Sequence, residues 1–502
     1  MARCQDPLGP PAALSGSDMG AGHCGLRPVF RGGVCLSAAQ GAALAGSVLI
    51  HVVALRRLSA ADYALLGLVL VVGAGLQSVL AGGIPNALRR AAGACSNPAA
   101  VWLAPAMSLH VAVCGGVWLG LLWLAHEVDR WTGSADAWPV MAAAATELFV
   151  RAGLLDPSVF ILNGQARYRA QAALQIGFQA GRVTLFVILL AHGWGSAGAM
   201  TGLAVAAFTA GCAGLWLVRP WRGRADVESR SLTAEADLAA WLRYGGSHDG
   251  LLFMIPVANL CLVKGLVAGA AEVAVYVACF VAARATASLG IVLAGIFFAP
   301  AARAVSRNDA NSVRSFLAVG VRVQVLLLAP LVALGLFRGP EFLQKACGFA
   351  GPPSGVLLAT LLAAGALLTI WAFVGEMLAA AGHLRARLRL AAGAAAGGLA
   401  GMWAATYAGG LQGAAVGLLA TAAVGAAGSI MLADRALGPF VPWRGVGRAV
   451  AAAAVAAMVG SATAFPPGLA WGAVDAAVCG GIYLGLLVLS GTTAKRRLGE
   501  TR

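Results

Sequence analysis

Few charged residues interrupt the long apolar runs of this 502-residue chain, and those that do have the chemistry of ion handling. Arg151, Arg182 and Arg284 each stand inside such a run, and Arg31 stands at the mouth of another. A guanidinium in mid-membrane costs roughly 2.5–3.5 kcal/mol on insertion scales, so it is retained where it faces water or a polar ligand. Its planar fork stays charged and grips phosphate oxygens two at a time. Arg284, Arg151, Arg182 and, as a lesser member, Arg31 are therefore the candidate binding residues for a phosphate-bearing ligand. Glu376, Glu147 and Asp156 are the candidate ion-coupling residues, since a membrane carboxylate takes up a proton or Na⁺.

Each residue also has a structural reading. Glu147 and Arg151 are four apart and pair on one helix face. Arg182 and Glu376 could each serve a bond to a neighbouring helix, whereas Arg284 has no acidic residue within a turn. For His51 and His110 a satisfied structural role outweighs a proton relay. No metal spacing and no nucleophile arrangement is present, so the chain is expected to be no enzyme and to need no cofactor beyond coupling to H⁺ or Na⁺.

The elements that must hold these residues follow from composition. The chain is 60% hydrophobic and 11% charged, whereas soluble domains carry about 25% charged residues. Its exterior must face lipid. A bilayer core of about 30 Å takes about 20 apolar residues per helical span. About fourteen spans can be read: 33–55, 62–84, 100–124, 138–161, 171–192, 197–218, 247–263, 273–300, 316–337, 355–381, 388–407, 412–433, 447–464 and 470–490. The fold class is an all-α polytopic membrane protein. Residues 1–27 read as a disordered tail and 491–502 as a second tail, both cytoplasmic. Leu238, Trp241 and Leu242 share one face of an interfacial helix in the linker 219–246.

The net charge of +15 is distributed by side. Of 35 Lys and Arg, only Arg56, Arg57, Arg130, Lys264, Arg338 and Lys345 fall in outer loops, and Arg151, Arg182, Arg284 and Arg322 fall within spans. The rest, Arg89 and Arg90 among them as anchors after the second span, mark the cytoplasmic side with both termini. The basic charge reports topology, and no nucleic-acid partner is expected.

An internal echo divides the chain. "SAADYALLGLVLVVGAGLQSVLAGGIPNALRR" and "GAAEVAVYVACFVAARATASLGIVLAGIFFAPAARA" share a small-Ala-Ala-acid start, a tyrosine (Tyr63, Tyr276), an "LAG", then Pro and Arg. They imply two six-helix lobes in parallel repeat, 28–218 and 247–433, around a central cavity. Residues 434–490 add two C-terminal helices.

These same residues carry a family resemblance. "RRLSAADYALLGLVL", "GIPNALRRA", "LNGQARYRAQ", "GAAEVAVY", "FFAPAARAVSRNDANSVRSFL" and "LAAAGHLRARLRL" resemble, in order and spacing, the polysaccharide and O-antigen flippases of the multidrug/oligosaccharidyl-lipid/polysaccharide exporter superfamily. The resemblance implies twelve to fourteen helices, alternating access and flipping of an undecaprenyl-pyrophosphate-linked glycan in a bacterial cytoplasmic membrane, with a glycan polymerase as possible partner. It supports Arg284 best, because such proteins often hold cationic residues in the first, second and eighth spans. The chain departs from the pattern at Ala64 and Ala274, where glycines are usual, and at Asn259, in a span that often carries an Asp. Two rivals stand: a cation-coupled drug antiporter of the same superfamily, and a membrane glycan polymerase or ligase. The longest outer loops, 125–137 and 338–354, offer the second only His126.

Overall fold

A computed structural model describes residues 26–94, 99–132, 137–165, 167–218, 244, 246–267, 269–306, 309–347, 355–462, 481–483 and 485. All of its extended elements are helices. They are α1 (Leu26–Arg57), α2 (Ala60–Gly82), α3 (Ile84–Ala94), α4 (Ala99–Thr132), α5 (Ala137–Val150), α6 (Asp156–Gly164), α7 (Tyr168–Ala191), α8 (Gly195–Val218), α9 (Gly246–Leu266), α10 (Ala270–Ser306), α11 (Ala310–Cys347), α12 (Gly355–Ala380), α13 (Leu384–Leu437) and α14 (Trp443–Ala462). Among the described residues, nine helices are long and apolar enough to cross a membrane as single pieces. The protein is an all-α, multi-pass membrane protein.

The apolar runs became helices nearly as bounded, with instructive exceptions. The fourth run is one span in three pieces: α5, a π-helical turn at Arg151–Leu155, and α6. Pro157 has no N–H to give the carbonyl four residues back, and the Asp156 N–H bonds instead to the carbonyl of Arg151. The spans read at 388–407 and 412–433 are the two arms of α13, broken where Gly410 takes φ 54°. α11 runs longer than the span 316–337 and takes Cys347, expected in an outer loop, into its last turn. In the small-residue run 391–401, Ala391, Ala394 and Ala395 are buried in the core and a Cβ on Gly398 would meet Thr421, while Gly393, Gly397 and Gly401 face open space. The tails, the interfacial helix at Leu238, Trp241 and Leu242, and most of the span 470–490 lie outside the described residues.

Packing sorts the helices into two groups. α1 packs on α7, and α8 on α5 and α7; α12 packs on α10, α11 and α13, and α9 on α13. The groups meet where α2 lies against α9 and α10, and α1 against α10. Glycines allow this approach. A Cβ on Gly67 would stand 2.3 Å from Val277 Cγ1, and one on Gly75 would stand 2.4 Å from Val257 Cγ2. In lipid, where apolar burial drives little association, such small-residue contacts carry the packing.

The apolar cores follow this division. One large core gathers Ile50, Leu66 and Phe186 with Leu260, Val277 and Leu361, drawn from both groups, at the end where α1 finishes and α10 begins. At the other end each group keeps its own core, one around Leu162 and Phe178, the other around Phe373 and Met377. Two buried tyrosines stand in the shared core. Tyr63 shares a 3.2 Å hydrogen bond with His51 Nδ1 on α1, and Tyr276 donates to Asn259 Oδ1 on α9 at 2.5 Å. Each tyrosine reaches back to the helix before its own, in the same way at the two positions the sequence echo aligns.

Candidate functional site

Between the two groups lies a cavity of about 600 Å³. α1, α2, α5, α7, α9, α10 and α12 supply most of its wall, and the large shared core closes one end. Hydrophobic spans alone would line it with leucine and valine. Instead Gln40, Gln77, Gln171, Gln175 and Gln179 face it, together with four arginines and four carboxylates.

Three of those arginines are the sequence candidates, brought together from three separate helical spans. Arg151 opens the π turn, Arg182 sits on α7 and Arg284 on α10. Arg151 is close enough to both others for their charges to interact. Phe178 lies between Arg151 and Arg182, with each guanidinium carbon 5.4 Å from its ring centre. The ring attracts both charges. Arg151 pairs loosely with Glu147 at 3.7 Å, as the four-residue spacing implied. Among the described residues Arg182 makes no ion pair, and its Nε makes no hydrogen bond. It lies over Phe178, one turn earlier on its own helix, within reach of the charges of Arg151 and Glu147. Among the described residues Arg284 makes no ion pair and no hydrogen bond. The side chain of Arg31 lies outside those described.

The acidic candidates divide. Glu147 and Asp156 line the cavity beside the arginines, with Asp156 Oδ2 accepting a 2.8 Å hydrogen bond from Gln77 Nε2. Glu376 also lines it, at the end away from the shared core, but its charge is already engaged: Arg387 Nη1 donates to its Oε1 at 3.2 Å. The histidines are satisfied as read. His51 bonds Tyr63, and His110 Nε2 lies 2.8 Å from the carbonyl of Ala152.

Four residues of this region escaped sequence reasoning. Arg89, read only as an inner anchor, lines the cavity. The chain breaks at Gly83, and the short amphipathic α3 turns Ile84, Ala87 and Leu88 into the packing and Asn86 and Arg89 toward the cavity. The Arg89 guanidinium lies 4.8 Å from the Phe298 ring centre and 5.9 Å from that of Phe160. Arg387, counted among basic residues of the inner side, is only 1% exposed. It binds Asp249 Oδ1 at 3.0 Å and the Gly375 carbonyl at 3.0 Å besides Glu376. His248, also 1% exposed, shares a 2.8 Å hydrogen bond with Asp249 Oδ1. The signal that could have exposed this cluster was a pair of unmatched acids, Asp249 and Glu376, near the same ends of two spans.

No protein-family model and no curated sequence matches the chain. Solved structures do match. A structure of the lipid II flippase MurJ in an inward closed conformation aligns with a TM-score of 0.64 at 11% identity, covering 92% of this chain and 98% of that one. An outward-facing multidrug resistance MATE family transporter of the MOP superfamily gives 0.63 at 14%, covering 82% and 95%. The Vibrio cholerae MATE transporter VcmN in its bent form gives 0.59 at 13%, covering 82% and 96%. The chain has the fold these transporters share. The fold that the sequence resemblance implied is the fold observed.

Proposed function

We propose that this protein flips an undecaprenyl-pyrophosphate-linked oligosaccharide across a bacterial cytoplasmic membrane by alternating access, for export of a cell-surface glycan. In this reading the two helix groups are the lobes 28–218 and 247–433, both termini are cytoplasmic, and a glycan polymerase acts downstream. The observation that carries it is the convergence of Arg151, Arg182 and Arg284 on one cavity. A pyrophosphate brings about two negative charges, and bidentate guanidinium contacts match its oxygens. Positions that cost several kcal/mol each to place in a membrane are matched by such a ligand. The likeness to a MurJ structure over most of both chains agrees with the reading.

Its test is binding of undecaprenyl pyrophosphate to purified protein across a salt series, for the native chain and for Arg284→Ala. The expected result is affinity that falls with salt and is about tenfold weaker in the variant, about 1.4 kcal/mol. Proteoliposomes loaded with a fluorescent lipid-linked glycan then read translocation.

A second reading, a cation-coupled drug antiporter, rests on Glu147 and Asp156, which face the same cavity, and on the comparable likeness to MATE structures. Organic cations that bind while undecaprenyl pyrophosphate does not would select it.

A further inference from the structure

The Arg387 cluster has an uneven charge balance that the binding site itself completes. Asp249 and Glu376 line the cavity, and from behind both are held by Arg387 on α13, which does not line it. Two carboxylates therefore share one fixed guanidinium. The missing positive charge comes from the cavity side. Arg89 is within Coulombic reach of both acids, yet it forms no ion pair among the described residues, and its guanidinium rests over the rings of Phe298 and Phe160. Its N–H donors are thus available to an anion, while its field still serves the acids.

Beside the cluster stands a base with an unused site. His248 on α9 gives Nδ1–H to Asp249, and its buried Nε2 has no hydrogen-bond partner among the described residues. The imidazole lies against α12 where Gly375 leaves room, since a Cβ there would stand 3.2 Å from His248 Cε1. The charged groups facing it are Asp249 on its own helix, Glu376 on α12 and Arg387 on α13. α2, which packs on the same stretch of α9, presents Gly82 there and no charge.

We infer that binding of a pyrophosphate-bearing ligand in this cavity is linked to uptake of one proton at His248 Nε2. The inference rests on the flippase reading and deepens it by naming the group that couples the ligand to protons. When the pyrophosphate takes the Arg89 donors, it neutralises the charge that had compensated Asp249 and Glu376. A buried carboxylate without a compensating cation is strongly unfavourable. A proton from solvent water adds to His248 Nε2. The resulting imidazolium restores two cations to two acids. Release of the ligand returns Arg89 to its place and the proton to water.

The test is calorimetry of undecaprenyl pyrophosphate binding to the full chain at one pH in buffers of differing ionisation enthalpy. The slope of observed heat against buffer enthalpy counts protons. Native protein is expected to take up about one proton per ligand bound, as linkage requires. His248→Asn is expected to bind but show a slope near zero. Arg89→Gln is expected to bind more weakly, also without uptake, because no compensating charge is withdrawn. Native protein that binds with zero slope, or His248→Asn that binds with the native slope, overturns the inference while leaving the flippase reading intact. A native isotherm showing no binding removes both, and it is recognised from saturation alone, before any slope is taken.

Discussion

The two ends of the cavity are closed in different ways. At the end of Tyr63 and Tyr276, a single apolar core runs through both helix groups, and α10 and α9 are pressed against Gly67 and Gly75 of α2. At the end of Arg89 and Asp249 the cores are separate. There the groups touch through Gly82 and Gly83 against Asp249 and Gly246, through Arg89 over Phe298, and through a small patch of Ala87, Ala379 and Leu384. An interdigitated apolar layer loses its contacts outright when it parts. A layer of backbone, glycine and charge exchanges its partners for water at little loss. The Arg89 end is therefore the easier one to open, and it is the end at which Glu376, Asp249 and Arg387 are gathered.

The contrast can be broken by substitution. The largest effect is expected from Arg387→Met, which leaves buried Asp249 and half-buried Glu376 beside no fixed cation. Removing one partner of such a network costs about 3–5 kcal/mol, read as a lowered midpoint of thermal unfolding in detergent. A smaller loss would show that water already reaches these acids. Next comes Gly75→Val. Its added carbons collide with Val257, and overpacking costs about 1–3 kcal/mol. The same assay reads it, and a neutral result would mean that the two groups separate at this end too. Tyr276→Phe removes the donor to Asn259, which itself donates to the Ala414 carbonyl. A loss of about 1 kcal/mol is expected, with no change in ligand affinity. Gly82→Ala should matter least. Its Cβ would meet Asp249 Cβ at 3.0 Å, and the alanine regains backbone entropy, so stability should stay within about 0.5 kcal/mol of native. A large loss there would show the thin end to be as tightly packed as the thick one.

Much of this was legible in the sequence because membrane spans obey a length rule and their interiors tolerate few charges. Arg151, Arg182 and Arg284 stood out as charges in apolar runs, and the pairing of Glu147 with Arg151 followed from helical spacing. The region around Arg387 was not legible. Arg387 lies near the start of its span, where basic residues are ordinary, and its partner Asp249 is 138 residues away. The place of Arg89 on the cavity wall was hidden for a related reason. Beside Arg90 it has the sequence of an anchor, and only the break at Gly83 decides which way α3 turns. Charge count locates a residue along the membrane normal, but direction around the helix depends on breaks that composition does not encode.

One such break sets a rule for the fourth span. The π turn at Arg151–Leu155 holds one residue more than a regular helix would use, and Pro157 fixes its position. Deleting a residue from an ordinary helix spoils its pattern; deleting one here would heal it. The mended helix would keep the faces on either side of the deletion in register, leaving Glu147 and Ala144 on the cavity wall, whereas the same deletion in a regular helix would turn one flank by about 100°. The stretch is thus spelled with a surplus letter, and a deletion there would leave intact the reading frame of faces that it would corrupt in a regular helix.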